Sequence, residues 1–396
     1  MFALSDYSSR LPARQAKGGH KLKIGVAHSS YSGAGGIEKA NRALYDAVVA
    51  KGHEVHFYSR EKSSSGKVVS HAVSSWGVVN SLRALTFAMN ATRQLRSGGY
   101  DVTHSHGEAI GADVITAHSC HSHGLKVMRA YSQEMTLRHR NIGVMDAIRL
   151  RIEKNNYRGR QFKRVIAISN AVKNELMDEY DVPENDIAVI PHGVRRVEER
   201  RSDGKSLRKK VREEIGIQPN EFMLLFVSNE PHRKGLEFLL RSVQRLGNKR
   251  VRLVVVGKDD RDQFKGYAES IGISTLVFFA GVQEEVERYY LAADLFALPT
   301  LYEPFGLVIT EALSAGLPVL VSQCAGAAQQ FVQDRQNGLL IDTPSSVEEI
   351  TSKLDELVQN NGLRETLARG ATTTIFPSWE ECAQRVLEIY QQVRSD

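Results

Sequence analysis

Cysteine is scarce in this chain. Cys120, Cys324 and Cys382 are too few and too scattered among 396 residues for a disulfide framework, which points to a reducing compartment. Long apolar runs are missing too: no stretch approaches the roughly 18 uninterrupted apolar residues of a membrane-crossing helix. The opening MFALSDYSSRLPARQAKGGHK has no apolar core of the secretory kind, because a charge, Pro or Ser interrupts it every few residues. A cytoplasmic protein, soluble or peripheral on the inner face of a membrane, is therefore expected. Nor does one sign of charge dominate. The 52 Lys and Arg face 46 Asp and Glu, a net of +6 that suits anionic partners without choosing among nucleic acid, acidic lipid and nucleotide phosphate. With 42% hydrophobic and 25% charged residues, the composition excludes a disordered, collagen-like or disulfide-stapled chain. The length of 396 residues allows two or three domains of about 150.

What is present is alternation. Lys21–Ala27 reads as a strand, Ser29–Gly36 as a small-residue loop, Ile37–Val49 as a helix and Glu54–Tyr58 as a strand, making one βαβ unit. Strand patterns recur at Asp101–His106, Asp113–His118 and Val165–Ser169. The charged stretch Arg195–Glu214 reads as an inter-domain linker with a helix. Beyond it a second series fits strands at Met223–Val227, Val251–Val256, Val277–Ala280, Leu295–Leu298 and Pro318–Ser322. The unbroken apolar run Leu253–Val256 suits a parallel strand covered on both faces. The expected fold is α/β: two Rossmann-like, doubly wound parallel-sheet domains facing a cleft, where ligands meet strand carboxyl ends. The boundaries are a tail over 1–20, an N-terminal domain over 21–194 and a C-terminal domain over 195–374. A closing helix over 375–396 would begin near Pro377 and Trp379.

Gly33, Gly35 and Gly36 stand where a strand passes to a helix, which lets backbone approach an anion at the helix N-terminus. Their G-x-G-G spacing is not the dinucleotide fingerprint, and a tight turn explains them equally well. The stretch Pro299-Thr-Leu-Tyr-Glu-Pro-Phe-Gly-Leu-Val-Ile-Thr-Glu311 says more. It predicts a loop carrying Glu303, Pro304 fixing φ near the helix entry, and a helix from about Leu307 to Ala315 stopped by Gly316. The amides of Phe305, Gly306 and Leu307 would then face phosphate oxygens, while Glu303 and Glu311 accept from sugar hydroxyls. A helix-dipole partner plus one solvated Glu is the plainer alternative.

Glu303 and Glu311, with the Ala-Leu-Ser-Ala-Gly-Leu-Pro that follows, resemble the E-x7-E signature of retaining glycosyltransferases of family 4. The resemblance spans nearly everything after residue 20. It takes in Gly35-Gly36-Ile-Glu38, His118, Ser169, Pro191-His-Gly193, Arg233-Lys-Gly235, Val254–Gly257, Phe279–Gly281 and Ala292–Asp294, and runs loosely nearest the lipopolysaccharide-core glucosyltransferase branch. It implies the GT-B fold and a nucleotide-sugar donor, UDP-linked by preference. Glu311 would hold the ribose, Glu303 a hydroxyl of the donor sugar, and Gly35, Gly36 and the amides of Phe305–Leu307 the sugar and diphosphate. Lys234, helped by Arg233, would neutralise the leaving diphosphate. Backbone at Gly281 and Val282 would read the base, and His118 would approach the reacting sugar. Two positions depart from the family: Ser228-Asn229 stands where Gly-Arg is usual, and Arg195 where Asp is common.

His104, His106, His118, His121 and His123 raise zinc, but H-x-H and H-x-C-H-x-H are unlike the separated pairs of zinc sites. Asp259-Asp260-Arg-Asp262 reads as a surface turn. No metal and no cofactor are expected, and the leaving diphosphate would take the acceptor proton on the same face of the sugar. Residues 121–165 carry eleven Lys or Arg against three acids, interleaved with Ile142, Val144, Met145, Ile148, Leu150 and Ile152. Such a face suits an anionic membrane or glycolipid acceptor, or is simply a solvated helix face. No nucleic-acid motif accompanies the charge. A GT-B nucleotide-sugar epimerase and a non-catalytic nucleotide-binding module are the alternative functions.

Overall fold

The computed structural model describes residues 20–31, 35–64, 66–77, 79–137, 143–195, 204–258 and 261–395. Gly33, most of the N-terminal tail, Arg138, Arg140, Ile142, residues 196–203 of the linker, and Asp259 and Asp260 lie outside them.

Two all-parallel sheets form the frame. The first holds β1 (Lys23–Ala27), β2 (Glu54–Ser59), β3 (Val69–Ala72), β4 (Val102–Ser105), β5 (Val114–Ala117), β6 (Arg164–Ala167) and β7 (Ile187–Val189), in the order β3-β2-β1-β4-β5-β6-β7. Between its strands run α1 (Gly36–Ala50), α2 (Asn80–Ser97), α3 (His121–Tyr131), α4 (Val144–Tyr157) and α5 (Asn170–Tyr180). The second holds β8 (Phe222–Val227), β9 (Val251–Val256), β10 (Val277–Gly281), β11 (Leu295–Leu298), β12 (Val319–Ser322) and β13 (Gly338–Ile341), in the order β10-β9-β8-β11-β12-β13. Its helices are α6 (Gly204–Glu214), α7 (Leu236–Leu246), α8 (Arg261–Ser270), α9 (Glu287–Ala292), α10 (Leu307–Ser314), α11 (Gly326–Phe331), α12 (Val347–Gln359) and α13 (Asn361–Thr373).

Phe222–Val227 is buried at all six positions, as a central strand covered by helices on both faces must be. Each sheet reverses its strand order once, between β1 and β4 and between β8 and β11. The crevice at such a switch point lies beyond strand carboxyl ends, and here the loops after β1, β4, β8 and β11 open into it.

The last helix, α14 (Trp379–Ser395), crosses back to the first domain. Cys382, Ala383, Val386, Leu387, Tyr390 and Val393 join Ile24, Val26, Tyr45 and Val48 in one apolar core against α1. Trp379 lies so close to Gly193 that a Cβ there would meet its ring, and Val194 N–H donates to the Pro377 carbonyl at 2.9 Å. A second core runs from the second sheet into β5, β6 and α5 of the first domain, so the two halves share packed apolar surface.

Candidate active site

The E-x7-E stretch follows β11 into the crevice. α10 starts at Leu307, where the sequence places it, and the turn into the helix is made by Gly306 at φ +98° while Pro304 lies in the loop before it. Glycine adopts that left-handed backbone at little cost. No side chain caps α10 at Gly306 or α1 at Gly35; α10 has no acid in its first turn and keeps its partial positive charge for a ligand, while Glu38 stands in the first turn of α1. The two helix N-termini face one another, because a Cβ on Gly36 would sit 3.2 Å from Leu307 Cδ1.

Beneath them is a buried ion pair. Lys234 Nζ donates to Glu303 Oε2, and Arg233 Nη1 stands 3.8 Å from the same oxygen. Burial holds the Lys234 ammonium well below its ordinary range, and the Arg233 charge pushes the same way. Arg233 itself is held by Glu230 and by the Tyr302 carbonyl, so it fastens the turn before α7 to the Glu303 loop. Lys234 is thereby the cation aimed at the loop's carboxylate.

Glu311 accepts a hydrogen bond from Tyr290 Oη at 2.8 Å. It is open to solvent yet crowded by the cleft walls, and that crowding raises its carboxyl above the usual range. Tyr290 is a contributor that the sequence gives no sign of, since it is set by packing on Phe296 across helix and strand. At the far end of the sheet, the Gly281 carbonyl accepts from Gly257 N–H at 2.8 Å, and Val282 lies 67% exposed, an apolar side chain beside backbone. Asn229, where the family has Arg, uses its Oδ1 to accept from Lys258 N–H at 2.9 Å and so joins the ends of β8 and β9.

From the first domain, Ser169 caps α5 and donates to the Pro304 carbonyl at 2.6 Å. Tyr302 Oη accepts from Cys120 N–H at 3.3 Å and donates to Glu175 at 2.9 Å. Buried Glu237 on α7 accepts from the amides of Thr136 (2.7 Å) and Leu137 (2.9 Å). These three ties fix the crevice walls.

His118 is half-buried just past β5, with one ring nitrogen engaged and the other not. Its Nε2 lies 2.8 Å from His106 Nδ1, its ring stacks on His192 at 5.7 Å, and its Nδ1 is buried without a hydrogen-bond partner. His192 in turn meets Phe305 edge-on at 5.0 Å, connecting the imidazoles to the α10 loop. Among the described residues no group of three or more His, Cys, Asp or Glu is placed to hold a metal ion.

Burial raises the Glu175 carboxyl to about 7. A carboxyl higher in the folded than in the unfolded chain lets stability fall as pH climbs from the ordinary carboxylate value through 7. Glu175→Gln keeps an acceptor for Tyr302 without a charge. The variant is expected to melt level with the parent at pH 5 and about 3 °C or more above it at pH 8. Calorimetric scans giving one offset at both pH values would refute this.

Around 121–165 the charges divide. Glu153 is buried and accepts from His121 N–H (2.7 Å) and Ser122 N–H (3.0 Å) at the start of α3, and Ile152 is buried. Arg149, Arg151, Lys154, Arg158 and Arg160 are exposed, as is Val144. No helix among the described residues is long and apolar enough to cross a membrane.

Residues 34–196 match the family described as Glycosyltransferase Family 4, and residues 208–374 match Glycosyl transferases group 1. The chain is 29% identical over 234 residues to an uncharacterized glycosyltransferase, MJ1607 of Methanocaldococcus jannaschii, covering 58% of this chain and 60% of that relative's length. It is 23% identical over 348 residues to the lipopolysaccharide glucosyltransferase WaaG of Escherichia coli, covering 85% of this chain and 90% of WaaG. The crystal structure of WaaG superposes with a TM-score of 0.75 at 22% identity, covering 94% of this chain and 98% of that one. Anabaena Alr3699/HepE, solved in complex with UDP and glucose, superposes with a TM-score of 0.68 at 20% identity over 94% of this chain and 98% of that one. With one match on each domain and a GT-B architecture to carry them, the chain belongs to the family 4 glycosyltransferases.

Proposed function

We propose that the chain transfers a hexose-type sugar, with retention and without a metal, from a nucleoside diphosphate sugar to a hydroxyl of a glycan, glycolipid or lipopolysaccharide-type acceptor. The observation that carries this is the pair of uncapped helix N-termini meeting at Gly36 and Leu307, with Lys234 and Glu303 beneath and Glu311 alongside. Two dipole ends and one ammonium suit a diphosphate, and carboxylates next to them suit the hydroxyls on either side of it. UDP is the preferred nucleotide, since HepE, a neighbour in fold, binds UDP and UDP-glucose.

In the reaction, the bond from the anomeric carbon to the diphosphate oxygen breaks while the acceptor hydroxyl approaches the same face. The departing phosphate oxygen takes the acceptor's proton. Negative charge grows on that phosphate, and Lys234 with the α10 N-terminus stabilises it where it develops. Glu303 accepts from a hydroxyl of the donor sugar and sets its orientation. Glu311, fixed by Tyr290, accepts from the ribose.

Calorimetric titration with UDP, GDP and ADP in the presence of EDTA tests this. One nucleotide should bind, and Glu311→Ala should weaken it about tenfold to a hundredfold, the cost of lost hydrogen bonds to a carboxylate. No binding by any of the three would remove the footing of the reading. The exposed basic face of α4 supports docking on the anionic inner surface of a membrane, where a lipid-linked acceptor would be met. Equal sedimentation with anionic and neutral liposomes would reject that part.

A further inference from the structure

A chain of hydrogen-bonded side chains runs inward from His118 and belongs to no part of the donor site. Two strand patterns build it. His104-x-His106 on and just past β4, and Thr116-x-His118 on and just past β5, place four side chains on one face of neighbouring parallel strands. His118 Nε2 lies 2.8 Å from His106 Nδ1, and His106 Nε2 lies 2.6 Å from Tyr45 Oη on α1. Tyr45 Oη lies 3.0 Å from His104 Nδ1, and His104 Nε2 lies 2.8 Å from Thr116 Oγ1. Tyr390 Oη, from α14, stands 2.6 Å from His104 Nδ1 and can follow either order of protons there. His104, His106, His118 and His192 stack in sequence with centroids 4.7, 5.1 and 5.7 Å apart.

Burial pushes all four imidazoles down, His104 to about 3 and His192 to about 4, and each ring's charge would oppose protonation of its neighbours. Among the other groups around them, His28 packs edge-on against His106 and His118, and its Nδ1 meets the Ser30 carbonyl at 2.6 Å. The rings are therefore neutral, each with one N–H and one bare nitrogen.

Donors and acceptors then allow two complete orders. In one, Thr116 donates to His104, His104 to Tyr45, Tyr45 to His106 and His106 to His118 Nε2, leaving an N–H on His118 Nδ1. In the other every bond is reversed, and His118 Nδ1 is left bare as an acceptor. Moving from the first to the second shifts one proton across each link toward His118, releases the His118 Nδ1 proton to water and returns one from water to Thr116 Oγ1, so that net charge is unchanged. We propose that His106, Tyr45, His104 and Thr116 are positioning residues that set the tautomer of His118, and so decide whether its unpartnered Nδ1 donates or accepts. The consequence for transfer rests on the function proposed above; the coupling itself does not.

Two variants cut the chain at different places. Tyr45→Phe leaves His106 Nε2 without a partner. Thr116→Val leaves His104 Nε2 without one, at the opposite end of the hydrogen-bonded chain from His118. In the parent only the second order leaves no N–H without an acceptor; each cut gives that order an orphan N–H at the break, so the first order, with its N–H on His118 Nδ1, is no longer the costlier one and gains share. Ring 15N shifts of the labelled full-length protein, assigned through His→Gln variants, are the readout. Both variants should raise the share of the Nδ1–H tautomer of His118 above the parent's, and the parent should hold it mainly bare at Nδ1. The same His118 tautomer in all three proteins overturns the proposal. If Tyr45→Phe fails to fold, Thr116→Val alone decides it.

In turnover assays Thr116→Val should lower kcat by roughly tenfold or more with little change in donor KM, the scale usual when a partner that orients a metal-ligating His is removed. A changed KM with kcat intact would reject the catalytic consequence. A parent protein that transfers no sugar would reject the function while the ring spectra still decide the coupling.

Discussion

Lys234→Ala is expected to lower kcat/KM for transfer by about 10²- to 10³-fold, the usual loss when a group facing developing charge is removed. The same change should lower the melting temperature sharply. Glu303 is buried and Lys234 largely so, and removing Lys234 leaves the carboxylate only Arg233 at 3.8 Å, at a cost of about 3 kcal/mol, the lower end for a broken buried pair. Activity and stability would then fall together, and the assay alone would not separate them. The double variant Lys234→Met with Glu303→Gln separates them, because it removes both charges and keeps the volume. Its melting temperature should return most of the way to that of the parent, while transfer stays as low as in Lys234→Ala. A double variant that recovers both would show the pair to be a structural tie and would end the role given to Lys234. A double variant that recovers neither would show that the loop after β11 needs the ion pair to hold its shape.

Much of the frame could be read without coordinates, for reasons tied to particular residues. Phe222–Val227 and Leu253–Val256 are unbroken apolar runs, and a parallel strand covered on both faces gives that pattern inside short alternating elements. Glu303 and Glu311 were visible because their spacing is local, fixed by one loop and two turns of helix. The start of α10 at Leu307 is legible for the same reason, but the left-handed conformation of Gly306 that turns the chain into it is not, because a sequence cannot distinguish it from an ordinary loop glycine.

What was not legible depends on contacts far apart in the chain. Tyr45 and His104 are 59 residues apart, and His104 and Tyr390 are 286 apart. The H-x-H and T-x-H patterns were there to be seen, but only the pairing of β4 with β5 puts them on one face. Tyr290 reaches Glu311 across 21 residues, and Tyr302 reaches Cys120 across 182. Asn229 could be noticed as a departure, yet its use as an acceptor for Lys258 N–H needed the register of β8 and β9. The basic stretch 121–165 read as one amphipathic surface. In the structure Asp146, Glu153 and Ile152 turn inward while Glu134 and the arginines of α4 turn out, a division set by what α3 and α5 pack against.

Gly235→Ala is expected to be as damaging to transfer as the loss of Lys234, although glycine 235 touches no substrate. It sits at φ +75°, between Lys234 and the first residue of α7, where an L side chain is already strained. Space is the larger difficulty. An added Cβ would fall inside the contact radius of the Pro299 carbonyl oxygen, which is backbone and cannot rotate away. Pro299 opens the loop that carries Glu303, and Leu301 N–H donates to the Arg233 carbonyl at 2.9 Å, so the two turns are stitched together at this point. Relieving the clash must move one turn away from the other, and the Lys234–Glu303 pair lies between them. A displacement of about 1 Å at groups that position reacting atoms is enough to cost about 10² in rate. The backbone strain adds about 1–3 kcal/mol to the stability loss. Transfer assays and thermal melts on Gly235→Ala check both, with Gly247→Ala as the reference. Gly247 has a similar φ of +64° at the other end of α7, but nothing within 4 Å of its Cβ position. It should lose some stability and keep its activity. Equal activity losses in the two variants would mean that strain in α7 alone is responsible, and that the stitching of the two turns does not govern where Lys234 points.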